Sequence, residues 1–232
     1  MSTPAFTRAD WSERDMEKWN ARIEEIIGRR LGTTDLPPVD WDAVNRQADE
    51  EWMAAKADVL LSRLPIRYRN ATPRHDLSTR WLARYAQGDM INLAILGPSR
   101  VGKSWEAAAI ARILLLEHRV PATFEEVPEI LKRLRPNADG ASDIGHYQLA
   151  PVLILDDLGA EKRTEWTDEQ LYLIADFRAK RNLPTIVTSN LSQKGMEDTY
   201  GPRVCGRLFE GAAKLEIRTA PPEVPARFGA EL

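Results

Sequence analysis

Cysteine is nearly missing from this chain: Cys205 stands alone among 232 residues. A disulfide framework within one chain and a cysteine-rich zinc site are thereby excluded, and a reducing compartment is the natural reading. Histidine is almost as scarce, and the three at positions 75, 118 and 146 show no metal-ligand spacing. No apolar run approaches the roughly 18 residues of a membrane span. The opening MSTPAFTRADW lacks the basic-then-apolar pattern of a secretion signal. These absences predict a soluble, cytoplasmic protein without a membrane contact. Net charge is also small, at −3. That excludes a generally basic nucleic-acid coat, so any DNA contact has to be a local patch.

The charge present is unevenly spread. Residues 1–65 carry 9 Lys+Arg against 13 Asp+Glu, and the remainder 23 against 22. The acidic segment reads as two helices. Ser12 with Asp15 forms a capping-box pattern, and Met16, Trp19, Ile23 and Ile26 or Ile27 follow at helical spacing. GTTDLPPVD (32–40) breaks the first helix. Val44, Ala48, Trp52, Ala55 and Val59 share a face of the second, which Pro65 ends. Two such helices have little core of their own and pack on each other, on the next domain or on a partner. Trp11, Trp19, Trp41 and Trp52 in so short a stretch lean toward a partner surface. The expected division is a helical partner-binding segment, 1–65, and an α/β domain, 66–232.

From residue 66 strands and helices alternate. INLAIL (91–96), ATFEEV (122–127), VLILDD (152–157), TIVTSN (185–190) and KLEIRT (214–219) read as strands. Helices are expected from Lys103 to His118, over PEILKRLR, from a Thr167–Gln170 capping box to near Arg181, and from GPRVCGRLFEG with Pro202 in the first turn. The pattern predicts a parallel sheet covered on both faces.

Gly97, Pro98, Ser99, Arg100, Val101, Gly102, Lys103 and Ser104 spell G-x-x-x-x-G-K-S between a strand and a helix. The glycines let successive N–H groups point at phosphate oxygens, and the helix N-terminus adds partial positive charge. Lys103 reaches the β and γ phosphates, and the Ser104 hydroxyl ligates Mg²⁺. The competing reading is a plain glycine turn. VLILDDLG argues against it, because a buried strand has no structural reason to end in two adjacent carboxylates. Phosphoryl transfer does: Asp156 holds the Mg²⁺ water shell and Asp157 orients or deprotonates the attacking water. TIVTSN can bring Asn190 between these motifs, near the γ-phosphate, or can be a simple turn; Ser189 is left open. Arg203 and Arg207, four apart on a helix, share a face. A site with Lys103 alone lacks the extra positive charge that speeds γ-phosphate cleavage, and a neighbouring subunit often supplies an arginine. Arg207 is the candidate finger, which requires self-association. Arg203 supports it, and Cys205 between them packs.

Together these residues resemble the AAA+ ATPases of the DnaC-type helicase-loader family and the related IstB-type transposition helpers. RYRNAT, GPSRVGKS, VLILDDLGAEKRTEW, EQLY, LPTIVTSNLS and RVCGRLFEG carry the resemblance, in that order, over most of the chain after residue 66. It implies a five-stranded parallel sheet between helices, without a C-terminal lid domain, following a small N-terminal helical segment. It implies ATP and Mg²⁺ bound at subunit boundaries, with Arg207 acting in trans and Tyr68 and Arg69 near the adenine. The short Asp157, where many AAA+ proteins have Glu, implies slow hydrolysis. Loaders of this type grip single-stranded DNA with elements after the second strand. Here Phe124, Lys132, Arg133 and Arg135 suit backbone tracking with base stacking, or an ordinary surface helix. The resemblance does not cover residues 1–65, so a replicative helicase bound there is an inference by position. The expected function is ATP-dependent loading of the replicative helicase onto single-stranded DNA. The alternatives are a helper of transposition and a non-hydrolysing nucleotide-dependent adaptor.

Overall fold

The computed structural model describes residues 64–135 and 143–219, with a few isolated positions before Leu64. The expected capping box at Ser12, the two acidic helices and their tryptophans lie outside the described residues. The chain divides into two compact units, Met1–Ala55 and Lys56–Leu232. Every element below belongs to the second.

A 3-10 turn, Ile66–Tyr68, leads into α1 (Asp76–Ala86), β1 (Leu93–Leu96), α2 (Lys103–Leu116), β2 (Ala122–Glu126) and α3 (Val127–Arg133). Then come α4 (Ile144–Gln148), β3 (Val152–Leu158), α5 (Glu165–Ala179), β4 (Thr185–Ser189), α6 (Gln193–Phe209) and β5 (Ala213–Glu216). The fold is α/β: five parallel strands in the order β2-β3-β4-β1-β5, between helices.

Strand periodicity explains the two layers. Successive side chains of a strand point to opposite faces. Leu93 and Ile95 therefore pack with Trp81, Ile110 and Leu114 of α1 and α2, on one side. Ala94 and Leu96 pack on the other, with Leu171 and Ile174 of α5 and Val204 and Leu208 of α6. All four residues of β1 are buried, so the strand reads as a continuous apolar run rather than an alternation. Each aliphatic side chain buried in this way contributes about 1.5–3 kcal/mol. Leu64 also joins the α1–α2 layer, so the core of this unit begins just before the residue where the α/β pattern starts.

Among the buried charged side chains, one lies away from the carboxyl ends of the strands. Arg178 on α5 is 1% exposed, and among the described residues no carboxylate pairs with it. Its Nε donates to Thr185 Oγ1 at 2.9 Å, and its terminal nitrogens donate to the carbonyls of Tyr147, Gln148, Ala150 and Pro184 at 2.7–3.2 Å. Burial pushes its pKa down to about 10. The guanidinium thus ties the end of α4 and the approaches to β3 and β4 to one point.

Several local expectations need correction. The cap of α5 is Thr164, not Thr167. Thr164 is extended, its hydroxyl accepts from the Thr167 N–H, and the Thr167 hydroxyl accepts from the Thr164 N–H. A threonine here fills the place usually held by Glu or Gln. α6 begins at Gln193, about two and a half turns earlier than Pro202 suggests, with Ser192 as its cap. Gly201 breaks it at φ 72°, ψ 174°, so Pro202 opens the second half. The expected helices leave out α1 and α4; α1 does carry a helical apolar period, with Leu77, Trp81, Leu82 and Tyr85 packed in the core, while α4 is only five residues long. The last strand ends at Glu216 and α2 at Leu116.

Candidate active site

The strand order changes direction beside β1, whose neighbours are β4 and β5. Open parallel sheets bind ligands outside the carboxyl ends of their strands at such a point. The loop after β1, the acidic end of β3 and the end of β4 all arrive there.

Gly97 leaves β1 at φ 152°. Its N–H donates to the Ser189 carbonyl at 3.2 Å, and a Cβ on it would strike the Ile217 carbonyl. No other residue fits between β4 and the chain leaving β5. Arg100 (φ 65°) and Gly102 (φ 100°) are left-handed and wind the loop into a concave turn against the start of α2. Lys103 opens α2 and is only 6% exposed. Its ammonium donates to the Pro98 carbonyl at 2.8 Å and to Asn190 Oδ1 at 2.7 Å. Among the described residues no carboxylate forms an ion pair with it. Burial lowers its pKa, and the fields of Asp157 and Asp156 oppose that shift. A nearly buried cation whose partners are neutral acceptors is a seat for an anion.

The two carboxylates at the end of β3 have different roles in the geometry. Asp156 is buried and accepts from Thr188 Oγ1 at 2.6 Å; that same hydroxyl oxygen accepts from the Asp157 N–H at 2.9 Å. Burial raises the Asp156 pKa, the Thr188 and Ser104 hydroxyls pull it back, and Asp157 and Glu126 push it further up. On a regular strand Asp157 would face the opposite side of the sheet from Asp156. Instead Asp157 is left-handed, at φ 57°, where the β3–β4 register shifts. Such a bulge re-aims a side chain, and both carboxylates line the same cleft. Asn190 Nδ2 donates to Asp157 Oδ1 at 3.1 Å. With Lys103 donating to its oxygen, the orientation of the Asn190 amide is dictated from both sides.

The cleft measures about 310 Å³. Ser99, Arg100, Gly102, Lys103 and Ser104 of the loop line it, with Tyr68, Asp156, Asp157 and Asn190. Pro98 contributes its carbonyl, while Val101 is buried in the core. Arg69 does not join them, contrary to expectation. Its side chain turns back to the Leu64 and Ser62 carbonyls, and Arg67 lines the cleft instead, 4.5 Å over the Tyr68 ring. Sequence reasoning also missed Trp105, Glu126 and Thr188. Trp105 borders the cleft, its indole N–H bonded to the Thr72 carbonyl at 3.0 Å and its ring covered by Arg74 at 4.4 Å. Thr188 lies in TIVTSN, but nothing in that string marks it above its neighbours.

The four residues considered for DNA do not share one surface. Phe124 is half-buried, 6.0 Å from the Tyr68 ring, and packs in the core. Lys132, Arg133 and Arg135 are exposed; Lys132 pairs with Glu129 at 3.4 Å and Arg133 with Glu125 at 3.0 Å. Ser189 has a structural bond, donating to the Leu158 carbonyl at 2.5 Å. Cys205 packs in the core beside α5.

Arg207 lies at the amino end of β1, the end of the strand opposite the cleft. The carbonyls of Arg207 and Leu208 accept from Asn92 Nδ2 at 3.0 and 3.1 Å, and Asn92 precedes β1. The phosphate loop follows β1, so the strand's length, about 13 Å at 3.3 Å per residue, separates the two. The Arg207 side chain is 43% exposed and cannot approach the Lys103 of its own chain. Arg203 lies one turn away, over the Tyr172 ring at 4.5 Å.

No protein-family model matches the chain. It is similar to a Sinorhizobium fredii protein named as an insertion-sequence ATP-binding protein, 34% identical over 54% of this chain and 54% of that one. It is similar to the replicative helicase loader DnaI of Bacillus subtilis, 32% identical over 60% of this chain and 46% of that one. The matched region therefore spans about half the length of each relative. The crystal structure of DnaI superposes with a TM-score of 0.54, at 29% identity over 69% of this chain and 88% of that one. Among the described residues no helix is long and apolar enough to cross a membrane.

Proposed function

We propose that this chain, similar to an insertion-sequence ATP-binding protein and to the loader DnaI, is a DnaC/IstB-type AAA+ ATPase that hydrolyses ATP at subunit boundaries to load a replicative helicase onto single-stranded DNA. The observation that carries the ATPase reading is the Lys103 ammonium, held by neutral acceptors in a cleft that also contains Asp156, Asp157 and Asn190. The donor set suits a triphosphate with a divalent cation. The loop from Ser99 to Ser104 and Lys103 hold phosphate oxygens, and Ser104 with Asp156 holds Mg²⁺. ATP supplies the transferable phosphoryl group, and Mg²⁺ neutralises its charge. Asp157 orients the attacking water and accepts its proton, and Asn190 steadies Asp157 from the loop side. Arg207, remote from its own phosphate loop and exposed, serves the site of a neighbouring subunit.

The helicase partner is inferred from the loader relatives and from the acidic, tryptophan-bearing residues 1–65. Single-stranded DNA is assigned to exposed Lys132, Arg133 and Arg135. Charge reversal of Lys132 and Arg133 is expected to weaken single-strand binding, and unchanged binding would remove that assignment.

The insertion-sequence relatives support a second reading, a transposition helper acting on duplex DNA with a transposase. Light scattering on a size-exclusion column separates the two. The full chain, ATP and the helicase from the same source should elute as a helicase-sized complex. A chain lacking residues 1–55, which keeps Leu64 in the core, should form none. Absence of any helicase complex, with a transposase complex in its place, would decide for the second reading. Turnover that stays at zero with DNA and partner present would decide for a non-hydrolysing adaptor.

A further inference from the structure

α5 and α6 pack side by side, and each presents two residues one helical turn apart. On α6 these are Arg203 and Arg207; on α5 they are Tyr172 and Asp176. Residues four apart share a helix face, so the two pairs meet as rungs. Arg203 lies over the Tyr172 ring, and Arg207 Nε donates to Asp176 Oδ1 at 2.9 Å.

The second rung has a specific geometry. Asp176 Oδ1 meets the Nε of Arg207, on the side of the guanidinium. Its other oxygen, Oδ2, is taken by Lys180 at 2.6 Å. Among the described residues no hydrogen bond uses the terminal nitrogens of Arg207. Those nitrogens are the pair that approaches an anion in fork geometry. The main chain at Arg207 is fixed as well, because Asn92 holds its carbonyl and that of Leu208 while accepting from the Thr185 N–H at 2.8 Å. Arg207 is therefore anchored at its backbone and at Nε and left open only at its tip, in a surface groove shared with Met90, Ala179 and Glu210. Lys180 and Arg207 hold the Asp176 carboxyl below its usual range, so it stays ionised. A free arginine side chain gives up rotamer entropy when it is ordered; here part of that ordering precedes any contact with a partner.

We propose that Asp176 is a positioning residue for catalysis in trans, aiming the Arg207 guanidinium tip at the γ-phosphate bound by the adjacent subunit. This rests on the reading of Arg207 as an intersubunit finger, and the test separates the two.

ATP turnover of the full chain is measured under assembling conditions, with DNA and partner present. Asp176→Ala should lower kcat on the order of 10- to 100-fold, with ATP affinity and KM unchanged. Asp176→Asn keeps an acceptor for Nε and should restore most of the rate. Mixing Asp176→Ala with Lys103→Ala chains should recover turnover: the first brings an intact phosphate loop, the second an intact finger. A folding defect would not be complemented in this way. Full turnover by Asp176→Ala beside an inactive Arg207→Ala would overturn the positioning role alone. Failure of the mixture to recover would also overturn it and assign the loss to structure. Full turnover by Arg207→Ala would overturn the finger and its positioning together.

Discussion

Lys103 and Asn190 lie 87 residues apart in sequence, and the lysine ammonium donates to the asparagine side-chain oxygen at 2.7 Å. The other end of that amide donates to Asp157. One neutral side chain thus separates the loop cation from the carboxylate beside it and keeps them from neutralising each other. The Lys103 charge is not cancelled by a carboxylate contact, and Asp157 is held by a neutral donor.

Asn190→Asp is therefore expected to act differently from Asn190→Ala. The carboxylate would pair directly with Lys103 and compete with phosphate, so ATP affinity should fall on the order of tenfold or more, the scale of about 1.4 kcal/mol. Asn190→Ala should leave affinity within a few-fold and lower turnover instead. Equilibrium titration with a fluorescent ATP analogue, alongside phosphate release, checks both.

Asp156 carries a stability cost that comes with its burial. Burial raises its pKa in the folded chain, so the folded state favours the protonated form more than the unfolded state does. The ionised group is then destabilising at neutral pH, and that penalty disappears as pH falls through the folded pKa. Asp156→Asn should melt higher than the wild type at pH 7.5 without nucleotide. For a domain of this size about 2–4 °C corresponds to 1 kcal/mol. The difference should close in acid, where the wild-type carboxyl is itself protonated. Mg²⁺-dependent turnover should be lost in the same variant.

Gly97→Ala should destabilise the chain by more than about 2 kcal/mol. Its methyl group would meet the Ile217 carbonyl, which is backbone and cannot rotate aside. Thermal melting of Gly97→Ala beside Gly88→Ala separates this collision from positive φ alone, since nothing lies within 4 Å of a Cβ at Gly88.

Arg178→Met should cost about 3–5 kcal/mol, although no carboxylate is lost. Four carbonyls and the Thr185 hydroxyl would lose their donor in a dry interior. Denaturant unfolding should show a lower midpoint with an unchanged slope if only stability is affected.

The parts of the site legible in sequence were those carried by short contiguous strings. GPSRVGKS between an apolar run and a helix, and VLIL followed by two acids, each state a strand end and its chemistry within ten residues. Arg69 shows the limit. It adjoins Tyr68, yet a 3-10 turn sends alternate side chains to different places, and Arg67 reaches the cleft. The capping box of α5 misled for a different reason: Thr167–Gln170 satisfies the Ser/Thr-x-x-Glu/Gln rule, whereas the box that forms, Thr164–Thr167, has a threonine in the Glu/Gln place and the rule does not select it.

What the sequence determined by itself was the α/β class, the glycine-rich loop between β1 and α2, the acidic end of β3 and the placing of two arginines on one helix face. Each follows from residue periodicity or from an adjacency that local backbone geometry enforces. Tertiary structure alone decided that Asp157 swings to the same side as Asp156, that Asn190 joins Lys103 to Asp157, and that Arg207 lies at the amino end of β1, opposite the cleft, with Asp176 at its side. Those relationships depend on the strand order β2-β3-β4-β1-β5 and on one register shift. Strand order is settled by which buried faces pack together, a competition among residues far apart in the chain, and no local spacing records its outcome.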